Sequence, residues 1–272
     1  MNTRALMDIA LEMARLKEET YDTGIIVPGE GIRKLIMGVD METQELLLAQ
    51  QLGVDLVVSH HPKTGLPKTQ FSKVMEIQID KMMEFGVPIN KAQKALQKMI
   101  TSVEIGTHVS NYNRVGSAAE LMKMPYMNIH MPADLITERF VQNYLDEKFA
   151  ENPKANLGDI CDALNEIREY KDALVKPVIR VGSPNAFAGK IAVLMAGGTN
   201  GGSDVYKAYF EAGVGTIICM HVPEDVIKVV KEQNIGNIIV AGHMPSDSIG
   251  INKIIEAWEK SGVEVIKMSG IV

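Results

Sequence analysis

The sequence is short of cysteine, of positive charge and of long apolar runs, and each shortage narrows what the chain can be. Cys161 and Cys219 are its only cysteines, and neither lies in a paired motif. That leaves no basis for a disulfide framework or a thiolate zinc site and suits a reducing cytoplasm. No stretch approaches the roughly 20 uninterrupted apolar residues of a membrane span, and the first residues lack a signal peptide's apolar centre and cleavage pattern. A cytoplasmic protein with no membrane partner is therefore expected. Lys and Arg number 28 against 34 Asp and Glu, a net charge of -6, so a nucleic-acid backbone is not expected as the main partner. Low-complexity tails and close short-period repeats are also absent. The 272 residues suffice for one large domain or two ordinary ones, each with a substantial core.

What is present is organised around Val54 to Pro62, V-D-L-V-V-S-H-H-P. The valine-rich run predicts a buried strand that leads directly into Ser59, His60, His61 and Pro62. Consecutive side chains on a strand point to opposite faces, so His60 and His61 serve one site only where the chain leaves strand geometry. Pro62 removes an N–H donor and holds His61 extended. Histidines at the carboxyl end of a parallel strand lie where open α/β sheets bind ligands. The alternative is a pair of surface loop histidines.

Before this run, apolar spacing from Leu6 to Leu16 predicts an amphipathic helix, and the glycines and proline of residues 21–31 a loop. Residues 34–39, 43–52 and 55–58 then read as strand, helix and strand, a parallel βαβ unit. Asp40, ending its first strand, falls beside His60 and His61, either as a carboxylate supporting them or as a helix cap. A helical pattern runs from Phe71 to Gly86 and resumes from Asn90 to about Lys123. Its H-x-x-N places His108 and Asn111 on one helix face, either leaning over a ligand or simply solvated, with Asn113 nearby.

Residues 126–129 form a further strand, ending in His130-Met131-Pro132-Ala133-Asp134. Helices are expected over 137–150, 159–174, 203–212, 223–232 and 251–260, and strands over 178–181, 190–195, 215–220, 237–241 and 263–268. The turn Gly197 to Gly202 is either an anion cradle or a tight connection, since it matches neither dinucleotide nor P-loop spacing. The strand at 237–241 ends in Gly242-His243-Met244-Pro245-Ser246-Asp247.

Alternating strand and helix predict an α/β class with mixed or mostly parallel sheets in two lobes. The polar break at 151–156 places the second lobe at 151–236, inserted into a first lobe of 1–150 and 237–272. Three strand ends carry His60 with His61, His130 with Asp134, and His243 with Asp247. Imidazole plus carboxylate is the ligand mix of a hydrolytic zinc, manganese or iron site.

With S-H-H-P at 59–62, H-M-P-A-D at 130–134, G-H-M-P-S-D at 242–247 and A-G-G-T-N-G-G at 196–202, the chain resembles the NIF-three-like (NGG-interacting factor three) proteins. These are also labelled dinuclear metal centre proteins or GTP cyclohydrolase I type two. The resemblance implies that His60, His61, Asp134, His243 and Asp247 bind two divalent ions, with His130 close by. It also implies a ring-shaped homohexamer. Against the family, Asp247 stands where it usually has Glu, H-M-P-A-D replaces its usual H-T-N-L-D, residues of about 86–125 form an added helical insertion in the first lobe, and the acidic position after the penultimate strand is replaced around Cys219 to His221, marking a divergent branch.

The expectation is a metal-dependent hydrolase acting on a small phosphate-bearing or heterocyclic substrate, with His130 or His108 carrying the proton. Zinc, iron, manganese and nickel all tolerate this ligand set. The rivals are a non-enzymatic metal-binding regulatory scaffold and a metal-independent nucleotide binder using Gly197 to Gly202.

Overall fold

A computed structural model describes residues 1–272. Helix α1 (Thr3–Ala14) precedes strands β1 (Thr23–Val27) and β2 (Lys34–Gly38), helix α2 (Thr43–Gln51) and strand β3 (Leu56–Ser59). Helices α3 (Gly65–Thr69), α4 (Phe71–Val74), α5 (Ile77–Glu84), α6 (Ile89–His108) and α7 (Arg114–Met122) come next. Strand β4 (Tyr126–Ile129) then runs into helix α8 (His130–Phe149). Helices α9 (Leu157–Leu164) and α10 (Arg168–Asp172) lead to strands β5 (Val178–Val181) and β6 (Ile191–Leu194). The chain closes with α11 (Ser203–Glu211), β7 (Thr216–Cys219), α12 (Glu224–Gln233), β8 (Asn237–Val240), α13 (His243–Lys260) and β9 (Glu264–Met268). No helix is long and apolar enough to cross a membrane.

The chain forms two compact units. The first comprises Met1–Val74, Val103–Ile136 and Asp247–Ile271. Its five-stranded sheet has the order β1-β4-β3-β2-β9, with β1 antiparallel to β4 and the other pairs parallel. Ile36, Leu46, Ala49, Val57, Val115, Ala119 and Tyr126 form a core between this sheet and α2 and α7. Elsewhere in the unit, the buried Trp258 of α13 donates Nε1–H to the Leu6 carbonyl of α1 at 2.9 Å.

The second unit comprises Met75–Ser102 and Thr137–Ser246, together with Val272. Its four-stranded sheet has the order β5-β8-β7-β6, with β5 antiparallel to β8. Strand β6 is an edge, and an edge leaves backbone groups unpaired. Two side chains of α8 fill that gap. Gln142 Oε1 accepts from Val193 N at 2.9 Å, and Glu138 Oε2 accepts from Met195 N and Ala196 N at 2.9 and 3.0 Å.

The observed unit boundaries differ from those expected at 150/151 and 236/237, falling instead within α8 and α13. The polar break at 151–156 does not separate units, because α8 has already begun to serve the β6 edge by Glu138. Residues 75–102 group with the second unit through contacts such as Gln78 with the Gly197 and Thr199 carbonyls.

Local structure departs from expectation in four places, one being the helix expected over 159–174, which is divided into α9 and α10. The loop read at 21–31 contains β1, whose T-G-I-I-V run pairs with β4 from Thr23 opposite Ile129. Its glycines and proline mostly flank the strand, and the pairing partner lies about a hundred residues away, so local composition could not show it. The helical pattern from Phe71 is broken between α4 and α5, and α6 ends at His108, which leaves Asn111 outside any helix. Helices α8 and α13 start at His130 and His243, earlier than the 137 and 251 expected. Pro132 and Pro245 each lie in a first helical turn, where no N–H is needed for an intrahelical bond.

Candidate metal centre

Strands β2, β3 and β4 lie side by side and parallel, with Gly38 opposite Ser59 and Ser59 opposite Asn128. Their carboxyl ends are therefore level. The residues next along the chain from each end meet at one edge of the sheet: Asp40 beyond β2, His60 and His61 beyond β3, and His130 beyond β4. His60 N and His61 N still donate to the carbonyls of Gly38 and Val39 at 2.9 and 3.0 Å. The chain bends at both histidines, and the two rings lie 5.0 Å apart with a 44° tilt.

The two acids come from helices. One turn separates His130 from Asp134 on α8, with His130 Nε2 3.6 Å from Asp134 Oδ2. Asp134 Oδ1 is 3.4 Å from His60 Nε2, while Asp247 Oδ2 of α13 lies 3.6 Å from both His60 Nε2 and His61 Nε2. The helices can approach this closely because of a glycine. A Cβ at Gly250 would sit 2.0 Å from the Ala133 carbonyl oxygen, so only the bare backbone of α13 fits against α8 beside both carboxylates.

Burial makes this cluster electrostatically unusual. His60 and Asp247 are fully buried, and Asp134 and His130 nearly so. Both ring nitrogens of His60 and Asp134 Oδ1 are buried with no hydrogen-bond partner. Buried polar atoms are almost always hydrogen-bonded, and a buried imidazole lacking partners on both nitrogens is costly unless something else meets it. Burial disfavours the His60 imidazolium, but the Asp247 and Asp134 carboxylates outweigh it and push the pKa up to about 10. At His61 burial and the neighbouring His60 and His130 charges act together, bringing it down to about 3. His130 is raised, because Asp134 and Asp22 overcome the burial that would lower it.

Two carboxylates hold histidines from behind. Asp40 Oδ1 lies 2.8 Å from His61 Nδ1, where the βαβ crossover places it, and also pairs with Lys63. Burial would raise the Asp40 carboxyl, yet the Lys63 and His61 hydrogen bonds bring it down to about 2. Asp22, fully buried, lies 2.5 Å from His130 Nδ1. Sequence reasoning missed Asp22. The only available signal was an acid between Thr20 and Thr23, which reads as turn chemistry.

The residues present fit a metal. His60, His61 and His130 form one group whose ligand atoms all lie within 4.8 Å of one another, and His60, Asp134 and Asp247 form another. Imidazole nitrogen and carboxylate oxygen suit first-row divalent ions, and an ion would satisfy the atoms the protein leaves without partners. His243 opens α13, one turn before Asp247 and on the same helix face, with its ring 4.9 Å from that of His221.

His108 stands apart. It is exposed at the end of α6, its Nδ1 lies 3.0 Å from the Glu104 carbonyl one turn back, and no ring contact joins it to the other histidines. Asn111 Oδ1 accepts from Asn113 N within its own turn. In the Gly197 to Gly202 turn, the Gly201 and Gly202 N–H groups are taken by the Thr199 and Asn200 side chains. The Gln78 amide fills the turn by donating to the Gly197 and Thr199 carbonyls at 2.8 and 2.9 Å. That geometry is a tight connection, with these amides spent internally.

Residues 1–271 match the family model described as Duf34/NIF3 (NGG1p interacting factor 3). A crystal structure of a NIF3 superfamily protein from Sphaerobacter thermophilus is 36% identical, with a TM-score of 0.96 over 99% of this chain and 98% of that one. Reduced HcgD from Methanocaldococcus jannaschii is 15% identical, with a TM-score of 0.60 over 98% and 97% of the two chains. TTHA1606 from Thermus thermophilus is also 15% identical, with a TM-score of 0.55 over 99% and 98%. The last two show a shared fold. No curated protein matched the chain.

Proposed function

The chain belongs to the Duf34/NIF3 (NGG1p interacting factor 3) family, and from that premise we propose a metal-dependent hydrolase with a two-ion centre. The ligands are His60, His61, Asp134, His243 and Asp247, and the substrate is a small phosphate-bearing or heterocyclic molecule. The observation that carries this reading is the buried His60 ring, neither of whose nitrogens has a hydrogen-bond partner, facing two buried carboxylates at 3.4 and 3.6 Å. Bound divalent ions supply Lewis acidity and ionise water near neutral pH.

The chain's own residues prepare the site. Asp40 fixes the His61 ring so that Nε2 turns toward Asp247, and Gly250 lets the two acid-bearing helices meet. His61 is the least buried of the three clustered histidines, its side chain one-fifth exposed, so substrate reaches the centre on its side. GTP ring-opening and a homohexameric ring belong to this proposal through the family resemblance.

The near-complete burial of His60, Asp134 and Asp247 also favours a second reading, a saturated centre in a non-enzymatic regulatory scaffold. Metal content measured by elemental mass spectrometry on untagged protein, beside His61→Ala and Asp247→Ala, tests the centre. About two ions per chain, lost in both variants, are expected; no metal even after reconstitution refutes it. A screen of phosphoesters, nucleotides and cyclic amides then separates the two readings. Turnover abolished by His60→Ala supports hydrolysis, and its absence supports the scaffold.

A further inference from the structure

Asp22 is fully buried, and a buried carboxylate is costly unless its oxygens are well met. Its Oδ1 accepts from the Thr20 and Thr23 hydroxyls at 2.7 and 3.3 Å, and its Oδ2 accepts from His130 Nδ1 at 2.5 Å. This placement comes from the antiparallel pairing of β1 with β4. Thr23 lies opposite Ile129, so the preceding residue of one strand meets the following residue of the other.

With Nδ1 committed to Asp22, His130 turns Nε2 toward the cluster, 3.6 Å from Asp134 Oδ2. Its ring lies 4.8 Å from that of His60 and 5.6 Å from that of His61. An imidazole whose outer nitrogen donates to a carboxylate is oriented as metal-bound histidines commonly are. Asp40 holds His61 in the same way at 2.8 Å.

We propose that His130 is itself a ligand of the metal centre, a third imidazole beside His60 and His61, and that Asp22 is its positioning residue. This rests on the metal-centre reading above and extends its ligand set. It replaces the proton-carrying role expected of His130, which is 6% exposed and has one ring nitrogen tied to a buried acid.

The test uses the full chain, stripped of metal and titrated with Co(II), and follows affinity together with the paramagnetically shifted proton resonances of the histidine ligands. In wild type a shifted, slowly exchanging N–H is expected from His130. His130→Phe should remove that resonance and lower Co(II) affinity by more than the roughly 10- to 100-fold typical of losing a ligand's outer partner. Asp22→Asn should keep the resonance but shift it and weaken binding, whereas Asp22→Ala should speed its exchange with solvent. Thr20→Val, at a half-buried site, removes one hydroxyl from Asp22 and should move the same resonance without threatening the fold. A merely structural Asp22 would leave that resonance unmoved in Thr20→Val, which overturns the proposal even if the other variants fail to fold. Unchanged Co(II) affinity and spectrum in His130→Phe also overturn it. Failure of wild type to take up Co(II) refutes the metal centre itself, a separate outcome.

Discussion

Gly250→Ala tests whether the meeting of α8 and α13 builds the site. An added Cβ would lie 2.0 Å from the Ala133 carbonyl oxygen and 2.7 Å from its carbon. A comfortable contact needs about 3.5 Å, so the backbones must part locally by roughly 1.5 Å. The obstacle is backbone and cannot rotate away. Helix propensity acts in the opposite direction, favouring alanine over glycine by up to about 1 kcal/mol in a helix interior. Overpacking costs about 1–3 kcal/mol, and the rigid contact places this site toward the upper end, leaving a net loss of about 1–2 kcal/mol.

Parting the helices also draws Asp247 away from Asp134, because each lies within one turn of the contact. Metal content should therefore fall along with stability. Gly106→Ala is the matched control: it lies within α6 and an added Cβ would meet nothing within 4 Å, so only the propensity gain should appear. Urea unfolding of the two metal-free variants, with metal content measured separately, reads both effects. If Gly250→Ala matched Gly106→Ala in stability and kept its full metal complement, the close approach would not be what assembles the site.

Two more outcomes are expected from other contacts. His60, pushed up to about 10, carries a proton at pH 7 that a metal must displace, so calorimetry in buffers of different ionisation enthalpy should detect proton release. Metal affinity should rise with pH through the neutral range. The stability His60 lends the metal-free protein is complete below its ordinary pKa of 6.5 and is lost as pH rises through about 10; buffer-independent heats would refute this protonation. Gln78→Ala should cost on the order of 1–3 kcal/mol by leaving the Gly197 and Thr199 carbonyls without their donor. Gln78→Glu should be worse, since a carboxylate would face those carbonyls. Hydrogen exchange across residues 197–202 checks both.

The sequence by itself determined the α/β class, every strand but β1 and the three strand ends bearing histidine, because burial periodicity is a local property and each histidine follows its own apolar run. Asp40 was legible for the same reason, being one short crossover away from His60 and His61. Tertiary structure alone decided that Asp22 meets His130, since β1 finds β4 across about a hundred residues and no local pattern encodes that register. It also decided that Gly250 lets two acids approach, a matter of backbone separation that composition does not record. His108 and Asn111 looked joined by helical spacing, but α6 ends at His108 and divides them. Spacing places residues on a common face only while the helix lasts, and where a helix ends is set largely by what it packs against.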